Sequence, residues 1–157
     1  MIPTVIRELR ASDMNPLYDI ALMSLDESFL PDVFFGFYEQ WKDGQFVACD
    51  LTGRQIGFLS SVKLLDGGAR VMMFAVHPQY RRGGVGNQLL TSFIRLARSY
   101  GIRYITLEVR VENVAARKFY IRHGFREADI LRSYYRDGGD GIKMNLFLGY
   151  RVGSDRR

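Results

Sequence analysis

The segment VHPQYRRGGVG, residues 76–86, sets two adjacent arginines, Arg81 and Arg82, and three glycines, Gly83, Gly84 and Gly86, between two apolar runs. A strand that ends in such a turn and opens a helix aims several backbone N–H groups outward, and the helix dipole adds about half a positive charge there. Together these form an anion site that needs no catalytic side chain. A plain strand-to-helix turn accounts for the glycines equally well, and both readings stay open on the residues alone. No Lys-Ser or Lys-Thr follows the glycines, so this is not a Walker loop, and Leu89 stands where the dinucleotide fingerprint requires glycine.

Downstream, YITLEVRV puts Ile105, Leu107, Val109 and Val111 on one face of a strand. Glu108 falls on the opposite face, where a carboxylate needs a partner or water. Arg110, two residues on and on the same face, supplies a partner; a catalytic carboxylate is the alternative. Asn113 and Tyr120 are seven residues apart, nearly two helical turns, and so share a helix face. Asn113 reads as an N-cap and Tyr120 as a core aromatic. His77 precedes Pro78 as a loop-edge residue, His123 ends a helix where a cation suits the dipole, and Trp41 reads as core or rim.

The elements that must position these residues follow from periodicity. TVIREL alternates as a strand, and Ser12 is a candidate cap for a helix with Leu17, Ile20, Ala21 and Met23 to Leu25 at helical spacing. DVFFGFYEQWKDG reads as a second helix closed by Gly44. QFVACDL, QIGFLSSVKLL and RVMMFAV form an antiparallel meander joined by TGR and DGGA. Residues 84–100 form an amphipathic helix, YITLEVRV the next strand, and a further helix runs from Asn113 to His123 with Gly124 as its left-handed stop. ADILRSYY and IKMNLFLGY close the chain as strands around RDGGDG. The order β-α-α-β-β-β-α-β-α-β-β predicts an α/β mixture around a mixed sheet.

Composition sets the bounds. At 157 residues, 47% hydrophobic and 25% charged, the sequence reads as one domain over 1–150, with a polar basic tail at 151–157. There is no apolar run of the roughly 18 residues that a membrane span needs and no leader pattern, so a soluble cytoplasmic protein is expected. The single cysteine, Cys49, excludes an internal disulfide and a Cys-based zinc site, and it reads as a buried strand residue. Net charge is +5, and 18 of the 22 cations are arginine, which favours an anionic partner and phosphate in particular.

VHPQYRRGGVGNQLL resembles the acetyl-coenzyme A loop of the GNAT acyltransferase superfamily, with Arg81, Gly84 and Gly86 filling its pattern. LEVRVENVAARKFYIRHGF is similar to the matching strand and helix of the N-terminal acetyltransferases, both the RimI-like ribosomal-protein alanine enzymes and the archaeal N-alpha-acetyltransferases. The likeness covers roughly residues 5–148 in the expected element order. It implies a GNAT fold, with a central, mixed but mostly antiparallel sheet of about seven strands flanked by four helices.

The resemblance also implies roles. Acetyl-CoA would place its pyrophosphate on Arg81, Arg82, Gly83, Gly84, Val85 and Gly86. Phe74, Ala75 and Val76 would pair with the pantetheine arm and offer an N–H to the thioester oxygen. Asn113 would reach the cofactor arm, and Tyr120 would hydrogen-bond the sulfur as general acid toward the departing thiolate. Glu108 is the candidate base of the ribosomal-protein type. Glu27, in SLDESFLPDVFF, is a second candidate and, with Phe29, a substrate contact, although Asp26 and the spacing to Pro31 depart from the family's segment. Tyr134 and Tyr135 would grip the substrate's first residues, one of the two facing it if the strand alternates.

The implied reaction is direct acetyl transfer from acetyl-CoA to a protein or peptide α-amine, without metal. The implied partners are protein N-termini or nascent peptides, with the ribosome as a further candidate, and the protein is expected as monomer or homodimer. Acetylation of lysine, polyamine or another small amine is the alternative within enzymes, and a nucleic-acid-binding module is the alternative outside them.

Overall fold

The computed structural model of the chain describes residues 1–24 and 31–149. The elements follow in the expected order: strand β1 (Val5–Glu8), helices α1 (Met14–Ser24) and α2 (Pro31–Gln40), strands β2 (Phe46–Cys49), β3 (Gln55–Lys63) and β4 (Ala69–Val76), helix α3 (Val85–Ser99), strand β5 (Tyr104–Arg110), helix α4 (Val114–Arg122), and strands β6 (Arg126–Leu131) and β7 (Gly141–Phe147). Seven strands in mixed, mostly antiparallel pairing with four α-helices bear out the expected class. The described residues form two compact units, Met1–Lys63 with Val71–Tyr100, and Leu64–Arg70 with residues 101–149.

In the first unit the strands lie in the order β1-β2-β3-β4. Alternation decides which side chains face which helices. Val47, Cys49, Phe58, Met73 and Ala75 pack with Leu17 and Ile20 of α1 and Phe34 of α2. Ala48 and Ile56 meet Val85 and Leu89 of α3. β3 is therefore buried on both faces from Ile56 to Val62, and its two buried serines are satisfied, Ser60 donating to Gln45 Oε1 at 2.5 Å and Ser61 to the Gly44 carbonyl at 2.7 Å.

Two local expectations are corrected here. Ser12 does not cap α1. It lies inside a short 3-10 turn, Ala11–Asp13, and the neighbouring Asp13 organises the segment instead. Its carboxylate accepts from the Arg10 N–H at 2.8 Å, from both terminal nitrogens of Arg7 at 2.8 Å, and from Gln55 Nε2 at 2.8 Å. A carboxylate can serve four donors where a hydroxyl cannot, and it thereby joins β1, the turn and β3. Gly44 likewise does not close α2, which ends at Gln40. It lies in a separate turn where a Cβ would come within 2.4 Å of the Trp41 ring, so Gly44 is needed for close packing beneath a core tryptophan.

In the second unit the first two residues of β4 pair in parallel with β5, Ala69 with Ile105 and Arg70 with Thr106. β5 runs antiparallel to β7, and β7 to β6. Ile105, Leu107 and Val109 are buried, as the alternation predicts, which turns Glu108 and Arg110 to the other face. Arg117 fixes α4 by donating to the Val111 carbonyl at 2.7 Å and pairing with Glu127 of β6 at 2.9 Å. Among the described residues, no helix is long and apolar enough to cross a membrane.

Candidate active site

The glycine loop belongs to the first unit. After β4 a turn at Pro78–Tyr80 is capped by His77, whose Nδ1 accepts from the Gln79 N–H at 3.1 Å. The backbone then takes left-handed angles at Arg82 (φ 63) and Gly84 (φ 84). Such an angle is costly for a residue with a side chain and marks a place where backbone direction matters. Gly84 is the residue before α3, and the first carbonyl it offers is taken by the Gln88 N–H at 3.1 Å. The N–H groups of Val85, Gly86 and Asn87 thus precede the first intrahelical bond, at the positive end of the dipole, with no acidic side chain in the first turn. This geometry suits an anion, and the arginines contribute shape as well as charge: Arg81 Nε donates to the Val76 carbonyl at 3.1 Å and ties the loop to the end of β4.

A residue that no motif pointed to also shapes the loop. The Ile2 N–H donates to the Gly83 carbonyl at 2.9 Å, and a Cβ on Gly83 would approach the Ile2 side chain to 2.2 Å. Only glycine admits the N-terminal segment this closely.

The second unit gathers Glu108, Asn113, Tyr120, Tyr134 and Tyr135. The Asn113 side-chain oxygen accepts from the Ala116 N–H at 3.2 Å, so Asn113 is the expected N-cap, and its amide N–H donors are not used in the cap. Tyr120 lies nearly two turns further along α4. Its ring packs at 5.5 Å from Phe125 and 5.4 Å from Phe119. The residue is half-buried. Burial first, and then the neighbouring Tyr135, push its pKa well above the ordinary phenol value. Gly124, at φ 94, stops α4 as expected, and the Phe125 N–H bonds back to the Tyr120 carbonyl at 3.0 Å.

The ion-pair partner of Glu108 is not Arg110. Arg70 Nη2 and Nε reach the Glu108 carboxylate at 2.6 and 3.0 Å, whereas Arg110 pairs with Asp137 and lies 4.2 Å over the Tyr135 ring. Parallel pairing of β4 with β5 brings Arg70 alongside, and a longer reach carries Arg110 to the β6–β7 loop. The two tyrosines also depart from strand alternation. β6 ends at Leu131, Ser133 takes a left-handed angle (φ 51), and the rings of Tyr134 and Tyr135 meet edge to face at 5.1 Å. Tyr134 reaches Arg70 and Glu108, and Tyr135 lies against Arg110, so both sit over polar residues of one β5 face. Burial and the Glu108 charge push the Tyr134 phenol up. Glu27 and Phe29 lie outside the described residues.

Cys49 is buried in β2, and burial pushes its thiol up despite the nearby Arg7 guanidinium. It lacks the thiolate character of a covalent acyl carrier.

A sequence profile of the Acetyltransferase (GNAT) family matches residues 11–125, a span that contains the glycine loop, Glu108, Asn113 and Tyr120. The chain belongs to the GNAT acetyltransferase family. It is accordingly an acyltransferase in class, with the fold that the sequence resemblance implied. Among relatives of this GNAT chain, the N-alpha-acetyltransferase of Sulfurisphaera tokodaii is 30% identical over 151 residues, covering 88% of this chain and 90% of that protein. The crystal structure of Ard1 from Thermoplasma volcanium superposes with a TM-score of 0.90 at 30% identity, covering 94% of this chain and 99% of that one. The ribosomal-protein-S18-alanine N-acetyltransferase from Escherichia coli gives 0.85 at 30% identity over 93% and 94%.

Proposed function

We propose that this GNAT chain is an N-terminal acetyltransferase that moves acetyl from acetyl-CoA directly to the α-amino group of a protein or peptide. The strongest support for the α-amine is the similarity, along most of the chain, to an N-alpha-acetyltransferase. The amides of Val85, Gly86 and Asn87, with the backbone of Arg82 to Gly84, take the pyrophosphate. The β4 segment Phe74 to Val76 takes the pantetheine arm. Acetyl-CoA supplies the activated carbonyl carbon and a good leaving group.

The amine must be neutral to attack. An α-amine of pKa about 7.7 to 8.0 is roughly a tenth neutral at pH 7, about 300-fold more than a lysine of pKa about 10.4. Modest base catalysis therefore suffices. As the carbon–nitrogen bond forms, Glu108 takes the amine proton, directly or through a water. As the carbon–sulfur bond breaks, the Tyr120 hydroxyl donates a hydrogen bond to the sulfur. The raised phenol makes donation, rather than full ionisation, its contribution. Tyr134 and Tyr135 flank the peptide's first residues, and protein N-termini are the partners, the ribosome being a further one.

The test is an amine panel with acetyl-CoA: peptides with free N-termini, N-blocked lysine peptides, and polyamines. Turnover of the first group well above the others is expected; turnover confined to lysine or polyamine peptides would replace the α-amine reading. The cofactor assignment has its own test. Gly83→Ala should displace Ile2 and distort the loop, at the cost of about 1–3 kcal/mol that overpacking brings, weakening acetyl-CoA binding about tenfold or more. Titration calorimetry checks this, and an unchanged Kd would remove Ile2 and Gly83 from the account of the loop.

A further inference from the structure

We infer that Arg70 is a positioning residue for acetyl transfer, one that pins a single oxygen of the Glu108 carboxylate so that the other is held ready to take the amine proton. The inference rests on the proposed role of Glu108 as base. Arg70 is the second residue of β4 and pairs in parallel with Thr106, which brings its side chain to Glu108, two residues further along β5. Its Nη2 and Nε both donate to Oε1, at 2.6 and 3.0 Å. Nη2 also donates to the Tyr134 hydroxyl at 3.0 Å, and that hydroxyl donates in turn to the same Oε1 at 3.4 Å.

Three donors therefore converge on one oxygen. Among the described residues none donates to Oε2, although Glu108 is only 11% exposed at its side chain. A salt bridge selected for stability alone is better made fork to fork, with each guanidinium nitrogen on its own oxygen. Here the second oxygen is kept out of the pair. A carboxylate anchored in this way cannot rotate freely about its last torsion, so Oε2 keeps one direction while substrate enters. Lysine would not replace this arrangement, because an ammonium lacks the planar fork that fixes orientation.

In the step itself, a lone pair of the neutral amine forms the carbon–nitrogen bond and an N–H proton passes to Oε2, directly or through one water. The carbon–sulfur bond then breaks with its electron pair on sulfur, and Glu108 later returns its proton to solvent. Arg70 gains and loses nothing; it sets geometry. A base misplaced by about 1 Å can lose about 100-fold in rate.

Steady-state kinetics of the whole chain with acetyl-CoA and an N-terminal peptide test this. The variants are Arg70→Gln, Arg70→Lys, Glu108→Gln and the double Arg70→Gln/Glu108→Gln, each checked by thermal melting. Arg70→Gln is expected to lose about 100-fold in kcat with KM for acetyl-CoA unchanged to within about twofold. Arg70→Lys should fall between it and the parent, and the double variant should be no slower than Glu108→Gln, since Arg70 acts only through Glu108. Parental kcat in Arg70→Gln, or losses that simply add in the double variant, would overturn the inference. Should Arg70→Gln fail to fold, Arg70→Lys decides: reduced kcat at constant KM supports it and unchanged kcat overturns it. Full activity in Glu108→Gln is a different result, since it removes the base assignment and takes the inference with it.

Discussion

Tyr120→Phe is expected to lower kcat by about 100-fold or more while the Kd for acetyl-CoA stays within about twofold. The substitution removes one oxygen from a ring held by Phe119 and Phe125 and leaves the packing of α4 in place. In the proposed mechanism what disappears is the hydrogen bond to sulfur as negative charge builds there. The raised phenol pKa adds a second expectation: burial opposes the tyrosinate, so Tyr120 stays protonated through the working range and produces no alkaline decline below about pH 10. Rates and calorimetry on parent and variant separate the possibilities. Equal loss of kcat and of acetyl-CoA affinity would make Tyr120 a packing residue.

The second large effect concerns stability. Asp13 is 1% exposed and carries two hydrogen bonds from Arg7 and one each from Gln55 and the Arg10 backbone. Burial alone would raise its pKa, but those donors, Arg7 foremost, outweigh burial and hold the carboxyl at about 2. Asp13→Ala leaves Arg7 and Gln55 without their acceptor and should cost about 3 kcal/mol or more of unfolding free energy. The pH dependence follows from the sign of the shift. A folded pKa below the unfolded value near 3.9 means that the stabilisation is fully present above about pH 4 and is lost as pH falls toward 2. The size is about 2 to 3 kcal/mol. Urea melts at pH 7, 4 and 2.5 check this: Asp13→Asn should lose most of the acid slope, and an unchanged slope would assign acid sensitivity to other groups.

The sequence made the element order legible because alternation and helical spacing are local signals, and most of this fold's core obeys them. Asn113 and Gly124 were legible for the same reason, since a cap and a left-handed stop are chosen by residue type within one turn. Arg70 was not. Its partner lies 38 positions away, and the pairing depends on which strand lies beside β5, about which the local sequence is silent. Arg110 at two residues' distance was the nearer candidate, but it is drawn to Asp137 and Tyr135. The Tyr134–Tyr135 pair misleads in another way. Aromatic neighbours read as strand, whereas Ser133 bends the backbone just before them and lets both rings lie on the same side. Ile2 carried no signal at all, because a hydrophobic residue near a chain end looks like any other until Gly83 is found beneath it.

The central claim is that this GNAT chain acetylates an α-amine. One measurement addresses it directly: a single peptide bearing both a free N-terminus and an internal lysine is incubated with acetyl-CoA and the chain at pH 7, and tandem mass spectrometry locates the acetyl group. Acetyl on the N-terminal nitrogen, favoured over lysine by about 100-fold or more and in the direction of the difference in neutral amine, is the predicted result. Acetyl on the lysine side chain with the N-terminus left free would contradict the account.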